Sequence, residues 1–436
     1  MKKIVVIGGG VAGLFLATRL GKKLGKTEQA KITLIDQNSH HFWKPMLHEV
    51  ATGLRNAYIE GVDFRTQGKF NNFKFRQGAL QSIDTEKKIV FVSELRDEKD
   101  DIVFPASQHE YDILVMAIGS ITNDFGTPGV KENCLFLNDY LDASNFRRKI
   151  LTKLYQFSAD LDNPEQKQIR ISIVGGGATG VELSAEILKM AEKLKTYGVA
   201  KMEPEHLKVT LLEAGDRLLP ALPAQLSQNI RDSLEKIGVN VITNCLITHT
   251  DEKGFYTKNG ELIDSDIMAW TAGVKAPDIL KNIGQLTTGK GNQIIVKPTL
   301  QSIDDDCIFA VGDCALYLNA ENKPVAPPTA QAADQMAKLC YRNILAYLNR
   351  QPLQDFQYKD RGSVVTLAYT AHGIVSTFKT SKPIMIKGMP AYTMHYLLYH
   401  LHQAELYDLF RSLRIGLASS WIRKVKSYLD LPASRK

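Results

Sequence analysis

One hydrophobic pattern occurs twice along the chain. Lys3–Gly8 (KIVVIG) is a run of β-branched residues apolar on both faces, which predicts a buried parallel strand. It feeds the loop Gly8-Gly9-Gly10-Val11-Ala12-Gly13, a helix-compatible segment LFLATRLGKKL, and a second strand, Lys31–Asp36, that ends in an acid. Ile169–Gly175 (IRISIVG) starts the pattern again, with Gly175-Gly176-Gly177-Ala178-Thr179-Gly180, the helix VELSAEILKMAEKL, and the strand KVTLLEA carrying Glu213. The second acid stands farther from its glycines, so TYGVAKMEPEH reads as an insertion after that helix. Three other apolar strands end in small-residue turns: Tyr111–Ser120, Asp266–Val274 and Cys307–Ala315. Near the end, Leu406, Phe410, Leu413, Leu417 and Trp421 recur at helical spacing, with Arg411, Arg423 and Lys426 elsewhere around the helix.

Composition narrows the class. The chain has 436 residues, 44% hydrophobic and 23% charged, the profile of a multidomain globular protein and not of a disordered or disulfide-scaffold one. Its net charge of +7 is concentrated: from Lys382 onward nine Lys/Arg stand against three Asp/Glu, so that segment carries +6 and residues 1–381 only +1. A near-neutral body with a basic, apolar tail fits contact with an anionic membrane surface, and no nucleic-acid partner is expected. No stretch reaches the roughly 18 consecutive apolar residues of a spanning helix. The N-terminus MKKIVVIGGG is a strand entering a glycine loop, so it is not expected to be a cleaved signal peptide. Cys134, Cys245, Cys307, Cys314 and Cys340 are scattered without a CxxC pair, which argues for a reducing setting and against zinc or a dithiol redox centre.

A GxGxxG loop is a strong dinucleotide signal only between a strand and a helix, with an acid at the end of the next strand. Both copies have that context. Gly8 and Gly175 permit the tight turn, Gly10 and Gly177 let a pyrophosphate approach, and Gly13 and Gly180 allow close helix–strand packing. Asp36 and Glu213 would each accept hydrogen bonds from an adenosine ribose, and an acid at Glu213 favours NADH over NADPH. The fold expected is α/β, with two Rossmann-like dinucleotide-binding domains arranged as in glutathione reductase and a C-terminal amphipathic helical membrane-contact segment.

The strand ends at Tyr111–Ser120, Asp266–Val274 and Cys307–Ala315, the last with Gly312-Asp313, resemble those of two-dinucleotide-binding-domain flavoproteins. Within that superfamily, the segments HFWKPMLHEVATG (His41–Gly53), NDFGTPGVKENC (Asn123–Cys134), GGGATGVELSAE (Gly175–Glu186), LLEAGDRLLPALP (Leu211–Pro223) and AQAADQMA (Ala330–Ala337) resemble the bacterial type II NADH dehydrogenases, non-pumping NADH:quinone oxidoreductases of the respiratory chain. The resemblance implies non-covalent FAD on residues 1–130 and 295–380, NADH on 131–294, and a membrane-associating segment over 381–436. It places FAD against Gly8, Gly9, Gly10, Val11, Ala12, Gly13, Asp36, Leu80, Asp313, Ala330 and Gln331. It places NADH against Gly175, Gly177, Gly180, Glu213 and Gly273, and a quinone against Gln331 and Gln335. Lys379 lies near where some members place a lysine by the flavin.

Glu182, in the first turn expected for the second helix, is the catalytic candidate: there its carboxyl could order the nicotinamide or relay protons. Its bland alternative is an acid that stabilises a helix N-terminus. Glu186, one turn on, suits packing. Thr329 reads as a helix cap ahead of Gln331 and Gln335, whose i, i+4 spacing lets two uncharged amides face one site. Trp43, Lys44 and Pro45 suit either a flavin wall or a loop anchor. His40, His41, His48, His395, His400 and His402 lack accompanying ligands, so no metal is expected. The implied location is peripheral, on the cytoplasmic face of the bacterial inner membrane, and the tail's stripe also allows a homodimer. Two alternatives are a soluble NADH-dependent flavin reductase with another acceptor and a nucleotide-sensing partner protein without turnover.

Overall fold

The computed structural model describes residues 1–56, 61–97, 99–159, 168–196, 206–375 and 384–407. Lys379, most of the insertion after the second helix, and Phe410, Leu413, Leu417 and Trp421 lie outside them. The described chain forms two units, one from residues 1–43, 61–121 and 274–359, the other from 44–56, 122–273 and 360–407.

The first unit is built on a five-stranded parallel sheet whose spatial order is Ile308–Ala310, Ile113–Met116, Lys2–Ile7, Ala30–Asp36, Lys74–Gln77. Ile4, opposite Ile113 and Ile32, and its neighbours Val5, Val6 and Ile7 are buried, which is why the central strand reads as an unbroken apolar run. Helix Val11–Leu20 follows the first glycine loop and packs along helix Ala330–Leu348. The expected helix through Leu24 instead widens over Gly21–Gly25, where those two glycines lie against the carbonyl oxygens of Asn71 and Asn72. An antiparallel sheet of Leu80–Asp84, Ile89–Val92 and Ser107–Glu110 completes this unit's main elements.

The second unit repeats the plan with four parallel strands, in the order Val239–Ile242, Leu207–Leu212, Ile169–Val174, Ile267–Trp270. Helix Ala178–Thr196 follows its glycine loop. The short helix Leu47–Ala51 packs against this helix and against helix Tyr140–Ala159, whose buried side (Ala143, Phe146, Ile150, Leu151, Leu154) is apolar. Strands Gly362–Leu367, Thr370–Val375 and Ile384–Lys387 form an antiparallel sheet, on which helix Met389–Leu406 packs.

That last helix is inverted relative to a usual surface helix. Its buried positions are Ala391, His395, Tyr399, Gln403 and Leu406, whereas Met389, Leu397, Leu398 and Leu401 are exposed. Leu406 was expected to begin a lipid-facing stripe; it is only 1% exposed and belongs to the inner face. Among the described residues, no helix is long and apolar enough to cross a membrane.

Candidate functional site

The two glycine loops share the same turn, packing and open positions. Gly8 and Gly175 have φ of +97° and +114°, the left-handed region that L side chains avoid. A Cβ on Gly13 would lie 1.8 Å from the Gly8 oxygen, and one on Gly180 would lie 2.0 Å from the Gly175 oxygen. A Cβ on Gly10 or Gly177 would meet nothing within 4 Å, so each loop leaves a cradle open beside a helix N-terminus. Neither helix has an acid in its first turn, so the free N–H groups face no competing carboxylate of their own helix. Such a cradle fits a dinucleotide pyrophosphate.

The terminal acids hold these loops in place. Asp36 accepts from the Gly9 N–H at 2.6 Å and from the Asn38 N–H at 2.7 Å. Glu213 accepts from the Gly176 N–H at 2.6 Å and from the Gly215 N–H at 2.6 Å. A carboxylate offers about four lone-pair directions, so each acid latches its loop and retains acceptor capacity for a ribose. Buried His41, also in the first unit, hydrogen-bonds the backbone of Gly9; burial still lowers its pKa to about 4, leaving it neutral.

Other expected residues of the first unit fall as follows. Asp313 accepts from the Ser120 hydroxyl at 2.7 Å, and these residues follow adjacent strands of the parallel sheet. Leu80 is buried at the start of its strand. Ala330 and Gln331 open a helix capped by Thr329, whose hydroxyl accepts from the Ala332 N–H, as the sequence predicts. Gln335 bonds the chain as well: its Nε2 donates to the Lys359 oxygen at 2.9 Å and its Oε1 accepts from the Lys359 N–H at 3.0 Å. Its amide holds a loop and keeps one N–H and one lone pair beyond those two bonds.

Glu182 stands fifth in its helix, at the start of the second turn and not in the first. It is buried, its Oε1 accepting from the Thr366 N–H at 3.0 Å and the Thr366 hydroxyl at 3.1 Å. Its Oε2 lies 3.5 Å from Nδ1 of buried His48. Burial raises Glu182 to about 8 despite the Thr366 bonds, and burial lowers His48 to about 4 despite the nearby Glu49. Near neutrality the pair is therefore a protonated acid beside a neutral imidazole.

Charged neighbours are paired around them. Arg55 Nε donates to Glu49 Oε2 at 2.7 Å, and its guanidinium lies over the rings of Tyr396 and Tyr399. Burial opposes the Glu49 charge, but Arg55 and His48 together bring its pKa down to about 2. Lys189 donates to Glu186 Oε1 at 3.1 Å and to the Ala368 oxygen at 2.8 Å; burial nevertheless lifts Glu186 to about 7. The sequence did not single out Glu49, Arg55 or Thr366, and it read His48 and His395 only as weak metal candidates. A buried polar face at 395, 399 and 403 was the available signal.

Gly273, at φ +64°, lies under Phe125: a Cβ there would meet the ring at 2.4 Å, and Phe125 is itself 65% exposed. The five cysteines are free and buried. Among the described residues, no group of three or more His, Cys, Asp or Glu is placed to hold a metal.

Comparison with known proteins places this geometry. The sequence model of the pyridine nucleotide-disulphide oxidoreductase family matches residues 2–337. The type II NADH:quinone oxidoreductase of Haemophilus influenzae is 42% identical, over 99% of this chain and 100% of that protein. The enzyme of the same name from Staphylococcus aureus is 30% identical, over 84% and 87%. In fold, the chain is similar to NDH2 from Plasmodium falciparum in complex with NADH, with TM-score 0.79 and 18% identity over 96% and 98% of the two chains. It is also similar to the sulfide:quinone oxidoreductase of Aquifex aeolicus, with TM-score 0.71 and 20% identity over 98% and 94%. With its paired latched loops and a relative matched over its whole length, the chain belongs to the type II NADH:quinone oxidoreductases of the pyridine nucleotide-disulphide oxidoreductase family.

Proposed function

We propose that this chain is a respiratory NADH:quinone oxidoreductase that uses FAD and does not pump protons, working at the cytoplasmic leaflet of a bacterial inner membrane. The duplicated loop carries this reading: two cradles, each latched by its own acid, suit one resident and one exchanged dinucleotide. FAD, when bound, supplies the redox chemistry that joins a two-electron hydride donor to a quinone. Gly8, Gly9, Gly10, Val11, Ala12, Gly13, Asp36, Leu80, Asp313, Ala330 and Gln331 would hold it. Gly175, Gly177, Gly180, Glu213 and Gly273 would hold NADH, with Phe125 closing over Gly273.

The chain's own part is binding, orientation and proton supply. Gln331 would donate to a quinone carbonyl without bringing charge into an apolar slot. Glu182, protonated near neutrality in the second unit, would supply the proton that quinol formation consumes. The exposed Leu397, Leu398 and Leu401 on the last described helix, beside exposed Ile384 and Met385 in its unit, would enter the lipid headgroup region. A second copy of the chain is the other partner such a face fits.

Purified protein should be yellow, should bleach with NADH and should recover its colour with a ubiquinone or menaquinone analogue in detergent. A yellow, NADH-bleached protein that no quinone reoxidises would overturn the reading.

A further inference from the structure

Reducing a quinone with NADH consumes one proton from solution for each hydride delivered: NADH, quinone and H⁺ become NAD⁺ and quinol. We propose that this proton enters through a buried relay in which His395 and His48 hand it to Glu182. The inference rests on the reading of Glu182 as proton donor given above and concerns how that donor is refilled.

Geometry carries the proposal. His48 Nδ1 is 3.5 Å from Glu182 Oε2, and its other ring nitrogen, Nε2, is buried without a hydrogen-bond partner. His395, on the inner face of helix Met389–Leu406, is close enough that a charge on it would disfavour one on His48. Its Nε2 is likewise buried without a partner, as are Glu186 Oε2 in the same unit and Gln403 Oε1 on the same helix face. Buried polar atoms are nearly always hydrogen-bonded, so the two unpartnered imidazole nitrogens mark a place for bridging water. A neutral imidazole suits a relay because it holds a proton on one nitrogen and accepts on the other.

In the step, Glu182 loses its proton to quinol formation and becomes a carboxylate. It takes the proton from His48 Nδ1, while His48 Nε2 takes one from the water or imidazole toward His395. His395, 8% exposed, is refilled from solvent. One proton moves and no group keeps a net charge.

The surroundings keep the relay neutral at rest. His48 meets Glu49 on its own helix, Arg55 just beyond it, Glu182 and Lys189 from helix Ala178–Thr196, and His395 from the last helix; helix Tyr140–Ala159, which packs on the helix of His48, has apolar buried residues. Glu182 meets Thr366, Glu49 and Glu186, and His395 meets Glu49 and Arg55. Burial holds both histidines below their ordinary pKa and Glu182 above its own, so the proton rests on the carboxyl. His48 and His395 act through Glu182 and are positioning residues.

The test compares His48→Gln, His395→Gln and Glu182→Gln holoenzymes, with bound flavin measured on each. Ubiquinone-1 turnover is set against ferricyanide, which takes electrons without a proton, and proton uptake is followed with a pH indicator in stopped flow. Each histidine variant should lower the quinone-to-ferricyanide ratio about tenfold or more, less than the roughly hundredfold or more that a general acid itself contributes. Proton uptake should slow in parallel, the loss should grow with pH, and added imidazole should restore part of it. If both histidine variants keep the wild-type ratio while Glu182→Gln loses it, water reaches Glu182 directly and the relay is wrong. If Glu182→Gln itself keeps the ratio, the reading of Glu182 as donor fails instead. Should His48→Gln lose its flavin, His395→Gln decides alone.

Discussion

Glu182 combines a buried carboxyl with two donors from Thr366, and burial prevails. Its folded pKa of about 8 exceeds the ordinary value of 4.5, so its favourable contribution is full below about 4.5 and is lost as pH rises through 8. His48 has the opposite sign: with a folded pKa of about 4 against 6.5, its contribution is present above 6.5 and is lost as pH falls through 4. Glu182→Gln keeps the shape and an acceptor for Thr366 but cannot ionise. It should therefore stabilise the protein relative to wild type at pH 8.5, by on the order of a few kcal/mol, and much less at pH 5. Melting temperatures of both proteins at the two pH values check this; an equal difference at both removes the buried ionisation as cause. Glu213→Gln turns one of two accepting oxygens into a donor, leaving the N–H of Gly176 or Gly215 unmatched. KM for NADH should rise about tenfold, for a loss of roughly 1–3 kcal/mol, and preference over NADPH should narrow. An unchanged preference ratio in steady-state kinetics counts against Glu213 as the ribose acceptor.

At the scale of elements, each strand–loop–helix unit admits a paired experiment. Gly13→Ala and Gly180→Ala both drive a methyl into a carbonyl oxygen, at 1.8 and 2.0 Å, and displace the helix from the strand end. Gly13→Ala should purify with little flavin. Gly180→Ala should remain yellow but bleach with NADH at least about tenfold more slowly, as expected when positioning is lost. Flavin content and stopped-flow bleaching read the two outcomes, and the reverse pattern would exchange the nucleotide assignments. These units were legible in the sequence because all their determinants lie within one local stretch: a buried strand, glycines at fixed offsets, an acid at the next strand's end. The latch was not, since Asp36 was read as a ribose ligand and its bond to Gly9 emerges only from the folded turn. The Glu182 cluster was less legible still. His48, Glu182, Thr366 and His395 come from four distant segments, and no periodicity links them. The Gln335 bond to Lys359 was not legible either: i, i+4 spacing puts two amides on one helix face but does not announce a loop from 24 residues on.

Over the whole molecule, the charge excess of the last 55 residues and the exposed leucines of helix Met389–Leu406 belong to one region of sequence. That helix also carries His395, so removing everything after Lys382 would take away part of the buried cluster along with any membrane contact. A more selective variant is Leu397→Asp with Leu401→Asp, which alters only exposed positions. It should sediment with anionic phospholipid vesicles several-fold less than wild type while keeping its flavin, because charged side chains are poorly accommodated among acyl chains. Unchanged sedimentation would mean that this face does not meet lipid.

The likeness of the two loops bears on how long each nucleotide stays. With FAD in the first unit and NADH in the second, as proposed, one ligand must dissociate within each catalytic cycle and the other must outlast thousands of them. The turn glycines, the open cradle and the carboxylate latch are common to both, so they contribute alike to both off-rates and cannot account for the difference. Residence time must be set by what the first unit has in addition: Asp313 held by Ser120, and a second helix N-terminus at Ala330 capped by Thr329. Weakening those contacts would turn the resident flavin into an exchanging one while leaving its loop intact.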